Sequence, residues 1–319
     1  MPSRKSPRKG SLQYWPRKRV SKFLPSVNWS AIDSGKNLKG FIGYKAGMIS
    51  GFVKDETPAS MTKGKKITIP LTIIECPPMK ILSVRFYKFG VVKKEILSDN
   101  LDKELKRKIK IPKEKQKDNE LDKINLSEFE DVRVVVYSSV KKTLIKKTPD
   151  IIELGLTGNL DEKINFIKKN LNKEINISEI FEKGQLIDLR GLTKGKGLQG
   201  PLKRFGLSLR FHKSEKTRRG PGSLGPWHPA RVIFRVPMAG QMGMFTRLVY
   251  NSKILDLGKS EDKFKNLKNY GNVNSDYVLV TGSVQGPSKR QLILTHSLRP
   301  TKKQLKKNYE LLELRWNTK

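Results

Sequence analysis

Acidic residues are what this chain has too few of. It carries 30 Asp and Glu against 66 Lys and Arg, a formal net charge of +36 over 319 residues. Such an imbalance says nothing about the fold, but it makes a polyanion the leading expected partner. Cysteine is nearly absent too. Cys76 is the single one, so no intrachain disulfide can form, which suits a reducing compartment. The three histidines, His212, His228 and His296, lie far apart and make no H-x-x-x-H, so no structural zinc site and no metal is expected.

Long apolar runs are missing as well. None approaches the roughly 20 residues needed to span a bilayer. The N-terminus lacks the apolar core of a secretory signal. Met1 to Val20 is basic and acid-free, as an organelle transit peptide would be, but Pro2, Pro7 and Pro16 oppose the amphipathic helix such a peptide needs. Apolar residues make up only 36% of the chain, enough for one sizeable core and a small second one.

Catalytic constellations are also lacking. No G-x-x-x-x-G-K-[ST] occurs, which argues against a P-loop. The acids fall largely between residues 91 and 184 and in scattered loops, so no paired carboxylates and no Ser/His/Asp set emerge. Gly195-Lys196-Gly197-Leu198-Gln199-Gly200 matches G-x-G-x-x-G, yet Pro201 follows, no apolar helix comes next, and the only acid about 20 residues on is Glu215, among bases. No nicotinamide or other cofactor is expected. The same glycines still let backbone N–H groups approach a phosphate.

What is present is a long basic segment. Arg190 to Arg247 holds thirteen Lys or Arg and one acid, Glu215. Few interiors could hold that much unpaired charge. Its five aromatics and repeated Gly and Pro distinguish it from a plain solvated tail. Basic residues interleaved with aromatics and Gly match an arm ordered by nucleic acid. Pro226-Trp227-His228-Pro229 reads as a stiffened tip for stacking and hydrogen bonding, with His228 as a catalytic base the weaker alternative. Gly240-Gln241-Met242-Gly243 reads as a hairpin loop, or as a turn that sets Gln241 against an RNA backbone.

The order of patterns suggests the layout. Residues 1–39 form a basic extension in which eight Lys or Arg precede the first acid, Asp33, and Tyr14 and Trp15 sit between basic clusters. Strands are expected at Gly40–Met48, Leu71–Cys76 and Met79–Phe89, the last with Leu82, Val84 and Phe86 on one face. Residues 91–184 read as a separate α/β insertion. It has helical spacing at Leu101–Ile109 capped by Ser98 or Asp99, a charged turn at Lys113–Lys123, a strand at Val132–Val140, an amphipathic helix at Asn159–Leu171 with Asn159 as N-cap, and a helical turn at Ser178–Phe181. Further strands follow at Gln185–Arg190, Leu248–Leu257, Tyr277–Val284 and Gln291–His296. Residues 301–319 read as a basic tail with a short helical pattern ending near Arg315 and Trp316.

Several of these segments resemble one family. Ser3-Arg4 and Pro7-Arg8-Lys9-Gly10-Ser11-Leu12, then Pro16-Arg17-Lys18-Arg19, resemble the start of large-subunit ribosomal protein three in its archaeal and eukaryotic form. So do Gly40–Met48, Glu75-Cys76-Pro77-Pro78-Met79, Gly191–Gly197, Gly200–Gly206, Leu224–Pro229, Ala239–Gly243 and Gly282–Pro287. The resemblance implies a mainly β fold. It would be a closed six-stranded barrel of the translation-factor kind, at 40–90 and 185–300, carrying the α/β insertion and long basic extensions, including a finger at 191–247. It implies a structural, non-catalytic constituent of the large ribosomal subunit that binds rRNA near the 3′ region and supports assembly. The finger would reach toward the peptidyl transferase centre, and neighbouring ribosomal proteins, not a membrane, would be the other partners. The implied rRNA-binding residues are Arg8, Lys9, Trp15, Arg17, Lys18, Arg19, Lys194, Lys196, Lys203, Arg204, Arg210, Arg218, Arg219, Trp227, His228, Arg231, Gln241 and Arg247. Arg218 stands where the eukaryotic family carries a methylated histidine, and the finger is shorter between Arg219 and Leu224. The other readings weighed are an RNA-modifying or RNA-processing enzyme, a non-ribosomal RNA-binding protein and a basic protein of membrane surfaces. The last would need a cationic amphipathic helix.

Overall fold

Strand β1 (Gly40–Asp55) organises the larger part of the molecule, as seen in a computed structural model that describes residues 10–35, 37–112, 125–260 and 263–315. The chain divides into two units: residues 1–23 with 192–247, and residues 24–191 with 248–319.

In the second unit, β1 pairs antiparallel with β2 (Lys66–Glu75). β2 pairs with β11 (Asp276–Thr281), which pairs with β10 (Thr246–Lys259). Next in order come β7 (Leu186–Leu192) and β12 (Gln291–His296), and β12 also pairs with β1, from Gly40↔Thr295 to Tyr44↔Gln291. The sequence explains where each strand is covered. β2 alternates exposed and half-buried through Lys66–Pro70, then is buried on both faces through Leu71–Glu75. The expected strand at Leu71–Cys76 is thus the covered half of a longer one.

A second sheet has the order β4-β3-β5-β6, with β3 at Met79–Lys88, β4 at Val91–Leu97, β5 at Asp131–Ser138 and β6 at Ile151–Gly155. The Met79–Phe89 strand therefore belongs with the following residues, not with β1 and β2. The sheets part at Pro77-Pro78, where two residues without N–H groups cannot extend a ladder. Leu82 does not share a face with Val84 and Phe86. A bulge between Ile81 and Ser83 turns Leu82 into a small cluster with Leu105, Val135 and Tyr137, while Val84 and Phe86 enter the main core. That core is continuous across both sheets, from Phe41 and Ile42 through Val134 and Val136 to Leu292, Ile293 and Leu294, so the 91–184 stretch shares its packing.

Helix α1 (Leu160–Asn170) buries Ile164 and Ile167 on one stripe. Glu162 reaches back to accept the Asn159 backbone N–H at 3.2 Å, the reciprocal half of a capping box. Leu101–Ile109 differs from expectation. Only a 3-10 turn forms, at Lys103–Arg107, with Leu105 its one buried residue. Leu101 and Ile109 do pack with Leu105 against the small cluster of Leu82 and Tyr137, but so short a stretch, with Lys106, Arg107 and Lys108 in succession, is marginal as an α-helix. Ser98 does not cap it and instead donates toward the Leu171 carbonyl at 3.5 Å. The charged stretch at 113–123 lies outside the described residues.

The C-terminal segment also differs. After helix α3 (Lys302–Lys306) it forms strand β13 (Tyr309–Arg315), paired antiparallel with β1 from Ser50↔Arg315 to Asp55↔Tyr309. Leu311 and Leu314 pack against a second core cluster that holds Ile49, Leu71 and Leu279. Lys54 and Lys66 face Glu310 and Glu313 across the strands. Cross-strand partners, which helical spacing does not reveal, decide the conformation here. Trp316 lies outside the described residues.

Candidate nucleic-acid interface

The first unit concentrates charge. Its 79 residues hold 20 of the chain's Lys and Arg and one acid, Glu215, so +19 of the net +36 sits on about a quarter of the chain. One carboxylate cannot pair most of those cations.

Backbone bonds hold the root of the finger together. Thr193 N–H donates to the Phe245 carbonyl at 3.0 Å, and Phe245 N–H donates back to Thr193 Oγ1 at 3.2 Å. A two-residue ladder joins β8 (Leu198–Gln199) to β9 (Gly240–Gln241). Gly240-Gln241 is thus a strand at the root of the finger, where a hairpin loop is one expectation. The Gln241 amide donates to the Met242 and Gly243 carbonyls at 3.2 and 3.1 Å. A helix does follow Gly200, but α2 (Pro201–Phe205) is only five residues long and ends in Lys203 and Arg204, which is no dinucleotide motif.

The predicted residues fall into groups. Lys18, Arg19, Lys194, Lys196, Lys203, Arg218, Arg219, His228, Arg231 and Arg247 are exposed. Trp227, within Pro226-Trp227-His228-Pro229, is 88% exposed. Arg210 is half-buried and donates to the Pro221 carbonyl. Its N–H donates to the Arg218 carbonyl at 3.1 Å, bringing the two flanks of the Phe211–Thr217 segment together. Arg247 lies 5.5 Å from the Phe245 ring and donates to the Thr246 carbonyl at 2.8 Å. Arg8 and Lys9 lie outside the described residues.

Arg204 is the exception, because its side chain turns inward. It is buried and donates to the Gln241 carbonyl at 3.1 Å and the Met238 carbonyl at 3.0 Å. Arg17, from the N-terminal arm, lies 4.6 Å over the Phe205 ring, while Arg204 lies 5.1 Å from it. Each contact is a cation–π pair. Burial, then Arg247, holds the Arg17 guanidinium below its ordinary value; burial, then Arg17, does the same to Arg204. Cations are gathered here without carboxylates.

Two cavities open beside this junction. One, of about 550 Å³, has Leu12, Trp15, Phe205, Ile233 and Phe234 among its walls. The other, of about 500 Å³, is lined by Tyr14, Arg17, Lys18, Phe245 and Arg247. Phe205 and Phe234 are absent from the predicted set. Their role depends on meeting the arm from about 190 and 220 residues away, and no local spacing signals that. Among the described residues no group of three His, Cys, Asp or Glu is placed to hold a metal ion, and no helix is long and apolar enough to cross a membrane.

Comparison with known proteins adds the family. A family model described as Ribosomal protein L3 matches residues 1–318. The chain is similar to the large ribosomal subunit protein uL3 of Methanocaldococcus jannaschii, 40% identical over 308 residues and 92% of each chain. It is similar to that of Methanobrevibacter smithii, 41% identical over 313 residues and 93% of each chain. The corresponding protein of Archaeoglobus fulgidus is 39% identical over 309 residues, again 93% of each chain.

Proposed function

The chain belongs to the ribosomal protein L3 family, and from that premise we propose how it works. It is a structural constituent of the large ribosomal subunit, cytoplasmic in the ribosome, and not an enzyme. Its partners are large-subunit rRNA and neighbouring ribosomal proteins. The finer reading has the six strands β1, β2, β11, β10, β7 and β12 forming a closed barrel that carries the second sheet as an insertion. The pairing of β12 with both β7 and β1 supports this. Residues 1–39 and 191–247 act as extensions laid along rRNA near its 3′ region, with Trp227 at the end nearest the peptidyl transferase centre.

One observation carries the reading: +19 of charge gathered with one acid in the unit that also exposes Trp227. Exposed Lys18, Arg19, Lys194, Lys196, Lys203, Arg218, Arg219, Arg231 and Arg247 neutralise phosphates and release counterions. Arg8 and Lys9 are assigned the same role. Trp15, Trp227 and His228 meet bases, Arg17 meets a phosphate while it braces the arm, and Arg204, Arg210 and Gln241 chiefly hold the arm and finger in shape. The test is binding of the full chain to a 3′-region rRNA fragment against scrambled RNA of equal length, across a salt series. A preference for the cognate fragment that survives high salt is expected. Equal, steeply salt-sensitive binding to both would mean that charge alone is read and would overturn the shaped interface.

A further inference from the structure

The arm and finger of the first unit make a two-part pocket. Tyr14, Pro16, Arg17 and Lys18 line both cavities beside the Phe205 junction. On one side the walls are apolar, with Trp15 and Phe234 carrying the largest flat surfaces. On the other side Arg17, Lys18 and Arg247 bring three cations to one space. Each cavity falls in the range of roughly 300–1,000 Å³ typical of small-ligand sites. We propose that this pocket takes one unstacked nucleotide of single-stranded RNA, its base against Trp15 and Phe234 and its phosphate on Arg17, Lys18 and Arg247.

Three observations favour that occupant. First, Tyr14, Trp15 and Phe234 are 76%, 62% and 48% exposed. Second, the Trp15 and Phe234 rings stand 6.2 Å apart and tilted by 40°, a loose contact rather than a stack, with Arg235 5.8 Å from the Phe234 ring. Stacking on such faces is tolerant of base identity, because every base has a π-face. Third, burial and then Arg247 disfavour the charge on Arg17, burial and then Arg17 disfavour that on Arg204, and a phosphate would offset both. An apolar protein segment would satisfy the rings but bring no negative charge to the cations.

This inference rests on the RNA-binding reading and adds a requirement for an extruded base. The test uses the full chain with a single-stranded RNA 12-mer and with a 12-base-pair duplex, each over a salt series. Trp15→Ala is expected to weaken single-strand binding by about 10-fold. Its salt slope and its duplex binding should stay as in the parent chain. Trp15→Phe should keep most of the affinity, and Phe234→Ala should repeat the Trp15→Ala pattern. Labelling with 5-fluorotryptophan adds a direct readout, since the Trp15 resonance should shift with the single strand and stay put with the duplex. Equal loss on both RNAs, no loss on either, or an unmoved Trp15 resonance would each overturn the pocket and leave it to a protein segment or to no ligand. Failure of the parent chain to bind either RNA would instead sink the RNA-binding reading.

Discussion

Gly243, Gly197 and Gly200 sit within one small region of the finger root and should respond very differently to alanine. Gly243 has φ +78°, and a Cβ there would lie 2.0 Å from the Lys194 carbonyl oxygen and 3.1 Å from Gly195 Cα. Both obstacles are backbone, so neither can swing aside. A left-handed alanine costs about 1–2 kcal/mol by itself. Relieving the clash also separates the strands that exchange Lys196 N–H to Met242 O at 2.9 Å and Met242 N–H to Gly197 O at 2.8 Å. At about 1 kcal/mol for each bond, Gly243→Ala should destabilise the root by about 3 kcal/mol or more. Gly197 has φ +62° with open space around its Cβ position, so Gly197→Ala should cost only the same conformational term of about 1–2 kcal/mol. Gly200 lies at φ −69° with nothing near its Cβ position, and Gly200→Ala should leave the root alone. Hydrogen exchange of the Lys196 and Met242 amides reads these costs directly. Rates should rise by more than about 100-fold, by about 5- to 30-fold, and not at all, since about 1.4 kcal/mol is a factor of ten. Similar rates in all three variants would refute the packing argument. If Gly200→Ala weakens RNA binding while leaving these amides protected, that glycine serves a phosphate rather than the fold.

Other consequences are as direct. Burial holds the His296 imidazole below its ordinary value, beside Phe181 at 4.7 Å and Gln185 at 3.1 Å. The neutral ring is the folded form, so its contribution is intact above the unfolded value of about 6.5 and is lost as pH falls below it. The urea midpoint should drop as pH falls below about 6.5, and His296→Gln should flatten that drop; a parallel decline in both proteins would count against it. Leu311→Ala should cost about 1–2 kcal/mol in urea unfolding, because Leu311 packs against the second core cluster from β13. An unchanged midpoint would make β13 an ornament. Trp227→Ala should enter large subunits normally, because its ring is 88% exposed, yet slow aminoacyl-tRNA accommodation in single-turnover assays. Unaltered accommodation and peptidyl transfer would remove Trp227 from that role.

Much of the layout is legible in the residues, and the misses share a cause. Helix α1 announces itself locally through Asn159, Glu162 and a stripe of isoleucines. β12 runs over Gln291–His296 as its pattern implies, because the run Leu292-Ile293-Leu294-Thr295 is bounded by polar residues on both sides. β13 is hidden, since its conformation is set by β1 some 250 residues earlier. Leu82 is hidden behind a bulge that breaks the two-residue period. Composition finds the basic arm easily, but it cannot tell a cation that faces solvent from one turned inward. Arg204 and Lys203 look alike in the sequence, and only the carbonyls of Met238 and Gln241 separate them.

The pairing of β1 has a consequence for how the chain is made. Three strands flank it: β2, a few residues on, and β12 and β13, which begin at Gln291 and Tyr309. During synthesis β1 and β2 can form a hairpin early, but the far side of β1 has no partner until almost the whole chain has emerged. Contacts of such long sequence separation form slowly. Meanwhile the nascent polypeptide presents an unpaired strand edge together with twenty cations that attract any RNA nearby. The interval between the making of β1 and the making of β12, roughly 235 residues later, is then the period in which that edge is open to capture.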